Sequence, residues 1–327
     1  MSLKSTYLEQ DLVNILASMT FNLPGYPRHF FETGYKIEFI EKEFDVTQDK
    51  KVRELKFDIV LNNYEKNHSL ACECKSGGTE PDQLERYNKL SSEELVRVGG
   101  VSSGDPALHT HDITLVFNHV NKDQIDEETK GYNFSGLSVL KDTENPTTIE
   151  LVKGNFQDDD LAAYFTEPIR YPNFVHEIFK VGGQSPLFKY VKLIAAELVS
   201  FSVNGKECFE VSDLAPGVYS SVPGLYNPAR IGKQMRRDIE NKIERALIEG
   251  SNYELNEYFS WDKSLKAGKL LKIKPGCKPI NFKQFREQAE QMAERMRKGE
   301  TPPAIFRPRK TSAHPDQTAL DLFPKSV

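Results

Sequence analysis

Two short apolar runs with charges set into them constrain this chain more than any other feature. Residues 55–61 and 69–75 alternate as strands do, yet carry Asp58, Glu73 and Lys75. Fourteen residues separate Asp58 from Glu73, enough for the two strand ends and the polar turn at 62–68. Successive side chains on a strand point to opposite faces, so Glu73 and Lys75 share one face. Leu70, Cys72 and Cys74 share the other and pack inward. By the same alternation Phe57, Ile59 and Leu61 face the core and Asp58 points away from them. Paired as a hairpin, the two runs bring Asp58, Glu73 and Lys75 to one spot. Two carboxylates with a nearby oxygen donor suit a hard divalent cation such as Mg²⁺ or Mn²⁺. An adjacent lysine can position a metal-bound water or help deprotonate it. Such a set can hydrolyse a phosphodiester in line, with the metal stabilising charge on the oxygens.

The flanking pattern predicts an α/β core. Residues 5–21 read as a helix capped by Ser5, with Leu8, Leu12, Ile15, Leu16 and Met19 at helical spacing. Residues 35–44 alternate as a strand ahead of the two charged runs, which predicts an antiparallel meander. Pro81 opens a helix to about residue 90, since the first helical turn needs no N–H there. Residues 112–117 and 137–140 read as further strands. Helix, three strands, helix and strand is an α/β order.

Asp58…Glu73-Cys74-Lys75 resembles the signature of the PD-(D/E)xK nucleases, a superfamily of restriction and repair enzymes. Phe57 stands where that signature often has Pro, a position at which the superfamily varies. Gln83-Leu84-Glu85-Arg86-Tyr87 resembles the Q-x-x-x-Y motif that follows the lysine strand in RecB-type nucleases and type I restriction subunits. The resemblance covers about residues 5–120. It implies a restriction-endonuclease-like core, a mixed sheet flanked by helices. It also implies Asp58 and Glu73 as metal ligands and Lys75 acting on the attacking water, with Gln83 and Tyr87 beside the site. The family's first helix often supplies another acid, and Glu9 is the matching residue, with Asp11, Glu32 and Glu41 as rivals.

Charge divides the remainder. Residues 224–310 hold 20 Lys+Arg and 11 Asp+Glu, whereas residues 1–223 hold 22 and 35, so an overall charge of −5 conceals a basic C-terminal part. Residues 186–203 and 227–249 are amphipathic helices, a short element at 209–214 lies between them, and a lysine-flanked strand follows at 270–273. That order resembles a winged helix. Arg230, Lys233, Arg236 and Arg237, near the start of the 227–249 helix, are candidates for phosphate or groove contact. The expected organisation is a nuclease domain at 1–150, a connection at 151–185, a basic α+β module at 186–298 and a disordered tail at 299–327.

In that tail, Gln317-Thr318-Ala319-Leu320-Asp321-Leu322-Phe323 resembles a sliding-clamp-binding peptide. The Gln317 amide would fix register, while Leu320, Leu322 and Phe323 anchor in an apolar groove. Cys72-x-Cys74 lacks the second pair of a zinc site. His109 and His111 read as polar loop residues, and Gly99-Gly100 and Gly182-Gly183 as turns. Four cysteines, no secretory pattern in the first ten residues and no long apolar run lead to the expectation of a cytoplasmic protein with reduced thiols and no membrane partner.

The expected function is Mg²⁺- or Mn²⁺-dependent hydrolysis of DNA by an endonuclease of repair or restriction and defence. Cutting both strands with one site per chain favours a homodimer. The alternatives are an inactive nuclease-fold adaptor that binds DNA or a clamp, and an RNA-directed nuclease of the same fold.

Overall fold

The computed structural model describes residues 6–142, 144–253, 255–261, 271–273 and 282–302. Ser5, Cys277 and the tail motif Gln317, Leu320, Leu322 and Phe323 lie outside the described residues. The chain divides into two compact units, Met1–Gly182 with Tyr219–Asp238, and Gly183–Val218 with Ile239–Val327.

The first unit is built on a mixed seven-stranded sheet. Its strands are β1 (Lys36–Ile40), β4 (Ile59–Asn63), β5 (His68–Lys75), β6 (Thr110–Asn118), β7 (Ser135–Leu140), β8 (Thr147–Lys153) and β9 (Ile169–Tyr171), adjacent in that order. The β1/β4 and β4/β5 pairs are antiparallel, as the meander predicts. The β5/β6 and β6/β7 pairs are parallel, and β8 and β9 return antiparallel. A separate hairpin, β2 (Glu43–Gln48) with β3 (Lys51–Lys56), leaves the sheet between β1 and β4. Each of the strands expected at 35–44 and 55–61 is therefore two strands joined at a bend. Apolar alternation runs through the bends, so periodicity alone hides them. Backbone conformation marks the first bend: Glu41 has φ +43°, where a β-carbon is unfavourable.

Both sheet faces are covered, so β5 is buried along its length except at Lys75. On the face of Ala71 and Glu73, a core of Phe39, Val60, Leu115 and Phe117 meets Leu84 and Tyr87 of α3 (Pro81–Asn88) and Leu95 of α4 (Ser92–Arg97). Phe57 belongs to this core and not, as alternation has it, to the face of Ile59 and Leu61, because the bend at 57–58 resets the parity. The opposite face is crossed by α1 (Glu9–Ser18), whose Leu12, Ile15 and Leu16 are buried. α1 is shorter than predicted. Its N-cap is Leu8, which is exposed and whose N–H is taken by Asp11 Oδ2 at 3.1 Å. The chain before it is pinned by Asn118, which accepts from Tyr7 N at 2.7 Å and donates to Tyr7 O at 2.9 Å.

Smaller helices α2 (His29–Glu32), α5 (Lys122–Glu128) and α6 (Asp159–Tyr164) complete this unit. With β8, α6 and β9, the sheet and its cover run through residue 150 and occupy much of the segment read as a connection.

The second unit holds α7 (Leu187–Val203), β10 (Cys208–Phe209), α8 (Val211–Tyr219) up to Val218, most of α9 (Lys233–Ser251), β11 (Phe259–Trp261), β12 (Leu271–Ile273) and α10 (Phe282–Arg297). Its three short strands form an antiparallel sheet in the order β10-β12-β11. The helix predicted to start at residue 227 starts at Lys233. Asn227–Arg230 is a turn, and Ile231, which like all of Tyr219–Asp238 belongs to the first unit, forms a parallel bridge with Ile40 of that unit's edge strand. Among the described residues no helix is long and apolar enough to cross a membrane.

The packing of α1 gives a stability prediction. Leu12 is fully buried, so Leu12→Ala should lower unfolding free energy by about 2–5 kcal/mol, read from urea denaturation with an unchanged slope.

Candidate active site

The antiparallel β4/β5 ladder brings Asp58, just before β4, to the charged end of β5. Ile59 pairs with Cys72, which sets Asp58 beside Glu73 and Cys74 at the C-terminal end of β5. Asp58 stands at the bend before β4, and its Oδ2 accepts the Cys74 N–H at 2.6 Å. Glu73 and Lys75 lie on one face, as alternation predicts, with Lys75 Nζ 2.7 Å from Glu73 Oε1. The sequence-predicted trio thus meets at one place.

α3 supplies the next layer. Gln83 and Tyr87 are one helical turn apart and face the same side. Lys75 Nζ donates to Gln83 Oε1 at 2.9 Å, which fixes the amide orientation because an ammonium only donates. The Gln83 amide nitrogen then donates to Glu73 Oε1 at 2.9 Å and to the Tyr87 hydroxyl at 2.7 Å. That hydroxyl reaches Glu73 Oε2 at 2.9 Å and the Lys56 carbonyl. The Tyr87 ring stacks on Phe57 at 4.3 Å between centroids. Gln83 is therefore joined directly to both the acid and the lysine, and Tyr87 to the acid.

Electrostatics follow from burial. Desolvation first, and then the neighbouring Glu73 charge, push the Asp58 carboxyl well above the usual carboxylate range; the Cys74 N–H only partly offsets them. Burial pulls the Lys75 ammonium down, but the charge and hydrogen bond of Glu73, with Asp58 and Glu9 adding, together leave the group above an ordinary lysine. Lys75 is accordingly held as a cation that donates to Glu73 and Gln83.

The third acid is less simple. Glu9 stands at the first position of α1, exposed, and its Oε1 lies 3.4 Å from Ser76 N and 3.3 Å from Ser76 Oγ. It braces the loop that follows Lys75. Of its rivals, Asp11 caps α1 and Glu32 pairs with Arg28 at 2.6 Å. Glu41 lies 3.4 Å from Lys56 and is raised by burial above all, with Glu43 and Glu73 adding to the shift. Nothing in the sequence singles out Lys56; it ends the plain strand β3, and only the bend that follows places it here. Among the described residues no three His, Cys, Asp or Glu side chains gather as a closed metal-binding group.

The basic residues divide differently from the sequence expectation. Arg230, Lys233, Arg236 and Arg237 fall within the segment that joins the first unit, not in the second. Arg230 lies in the turn before α9 and donates from Nη1 to Ile37 O at 3.3 Å; Lys233 and Arg237 are exposed on the first turns of α9. At the opposite end of β5 and β6, His109 bonds Ser69 at 2.9 Å and His111 bonds Ser92 at 2.7 Å. Burial pulls His111 down to about 4, so it is neutral at physiological pH and works as a structural tie.

A mixed α/β unit with paired acids and a lysine at a strand end is the setting into which the comparisons fall. The chain belongs to the MJECL32 domain family, whose profile matches residues 8–176. It is similar to the uncharacterized protein MJECL32 of Methanocaldococcus jannaschii, at 25 % identity over 303 residues, 83 % of this chain and 62 % of that one. The chain thus spans less than two thirds of that relative's length. No solved structure matches.

Two predictions follow from the site's charges and bonds. A raised folded-state pKa for Asp58 means that its protonated form favours folding, and that this stability is lost as pH rises through the folded pKa. In EDTA at pH 8, Asp58→Asn should therefore melt above the wild type, with the gap closing as pH falls and the wild-type carboxyl protonates. Tyr87→Phe keeps the stack on Phe57 but strips Glu73 and Gln83 of a partner, and should cost about 1–3 kcal/mol in denaturant titrations.

Proposed function

We propose that this protein is a divalent-metal-dependent nuclease of PD-(D/E)xK type that hydrolyses DNA. The observation that carries the reading is the convergence of Asp58, Glu73 and Lys75 with Gln83 and Tyr87. Two loosely spaced sequence motifs become a single hydrogen-bonded cluster at a strand end.

The residues present fit a hard cation. Asp58 and Glu73 offer oxygen donors, and their mutual repulsion in a desolvated place is relieved by positive charge. They would hold Mg²⁺ or Mn²⁺, with water completing a shell that Mg²⁺ seldom gives up. When bound, the ion would supply Lewis-acid stabilisation and a more acidic water. Lys75, fixed by Glu73 and Gln83, would orient the attacking water and stabilise charge on the phosphate oxygens. Tyr87 and Gln83 hold Glu73 in place for this. Glu9 braces the Ser76 loop in the structure, and its part in the metal shell stays a proposal.

The finer architecture is proposed on the same footing. A mixed sheet with an antiparallel entry and a parallel middle supports a restriction-endonuclease-like core. In the second unit, the order α7, β10, α8, α9, β11, β12 with strands arranged β10-β12-β11 supports a winged-helix reading. Arg230, Lys233 and Arg237 would meet the DNA backbone from the first unit, on the side of β1. The tail residues Gln317, Leu320, Leu322 and Phe323 are proposed on sequence alone to dock on a sliding clamp.

The test is incubation of circular single- and double-stranded DNA, and of RNA, with the purified chain in Mg²⁺, Mn²⁺ or EDTA. Cutting should require metal and fall by at least about 100-fold in both Asp58→Ala and Lys75→Ala. Cutting that persists in Asp58→Ala would sink the proposal, and preference for RNA would move the substrate.

A further inference from the structure

We propose that Ile231 and Gly232, remote in sequence and beyond the residues matched by the family, are positioning residues for Asp58. The inference rests on the nuclease reading above.

Asp58 is held at two points. Its carboxylate accepts from Cys74 N, and its carbonyl accepts the Glu41 N–H at 3.2 Å. The second bond is the last rung between the β1 and β4 segments, and it depends on the turn at Glu41, where φ is +43°. A non-glycine residue in that region persists only when its surroundings enforce it.

The enforcing contacts come from 230–232. Ile40 N donates to Arg230 O at 2.7 Å, and Gly232 N donates to Ile40 O at 3.0 Å, so the segment closes on the free edge of β1 as a parallel bridge. The approach is close enough to require glycine: a β-carbon on Gly232 would lie 1.8 Å from Glu41 O. Ile231 anchors the segment and is buried. Clamped on one edge by this segment, Ile40 and Glu41 cannot relax, and Asp58 on the other edge is kept at its angle to Glu73. An unpaired edge strand is also a pairing hazard, which the same contact removes. That second role is purely structural, so the experiment must separate the two.

The comparison uses full-length Ile231→Ala, with Ile231→Val as the conservative rescue. Leu161→Ala, which empties a buried position on α6 of the same unit, is the control for general destabilisation. Mn²⁺ affinity is measured by calorimetry well below melting, beside DNA cleavage kinetics and hydrogen exchange of the Glu41 amide. Ile231→Ala should weaken Mn²⁺ binding and lower kcat by about tenfold or more while KM stays within about twofold, since misplacing a catalytic group acts on the transition state. Its Glu41 amide should exchange faster, Ile231→Val should restore all three, and Leu161→Ala should lower the melting temperature alone.

Unchanged Mn²⁺ affinity and kcat in Ile231→Ala overturn the inference, as does an equal loss in Leu161→Ala. Asp58→Asn separates the two levels. If it abolishes cutting while Ile231→Ala does not, only the clamp fails. If Asp58→Asn cuts normally, or the wild type binds no Mn²⁺, the nuclease reading fails and takes the clamp with it.

Discussion

The hydrogen bond from Cys74 N to the Asp58 carboxylate is the tie on which the site depends. It joins the bend before β4 to the end of β5, and brings a second carboxylate next to Glu73 inside a desolvated layer. Two acids in that position repel, and the structure answers with donors. Lys75, Gln83 and Tyr87 converge on Glu73, while Lys56 stands against Glu41. Each donor is fixed by packing: Tyr87 by its stack on Phe57, and Gln83 by sitting one turn before it on α3. Removing a carboxylate or adding a positive charge would relax the same repulsion.

The sheet provides the rigidity this requires. Its parallel middle strands are covered on both faces, so β5 and β6 are buried along most of their length, and the polar residues on them gather towards the strand ends. At one end those residues form the site. At the other, a network of Tyr35, His68, Asp112, Asp158 and Lys66 ties β5 and β6 to the loop before α6. Tyr35 donates to Asp158 at 2.8 Å, and Lys66 closes the charge on Asp158 at 2.7 Å. Buried polar groups tied across strands in this way hold register, and register is what sets Asp58 against Cys74.

Much of the site was legible along the chain because it is local. Glu73 and Lys75 share a face of β5, Asp58 opens the strand paired with it, and Gln83 and Tyr87 follow on the next helix, so strand alternation and helical spacing bring them near one another. The bends were not legible. Alternation passes through Glu41 and Phe57 without a break, so the β2–β3 hairpin was merged into its neighbours and Phe57 was set on the wrong face. The extent of the first unit is also hidden, since β9 is only three residues long and β8 and β9 are held by pairing with a sheet already formed.

What the sequence determined by itself was therefore chemistry and local geometry: which residues can ligate, donate or stack, and which of them share a strand face or a helix side. The tertiary structure decided which remote segments complete the unit. Residues 219–238 sit far from β1 along the chain, and no periodicity ties Gly232 to Glu41. Their contact arises because the edge of β1 offers backbone groups that Arg230 and Gly232 pair with, and the absence of a side chain at Gly232 lets the segment pass this close to Glu41.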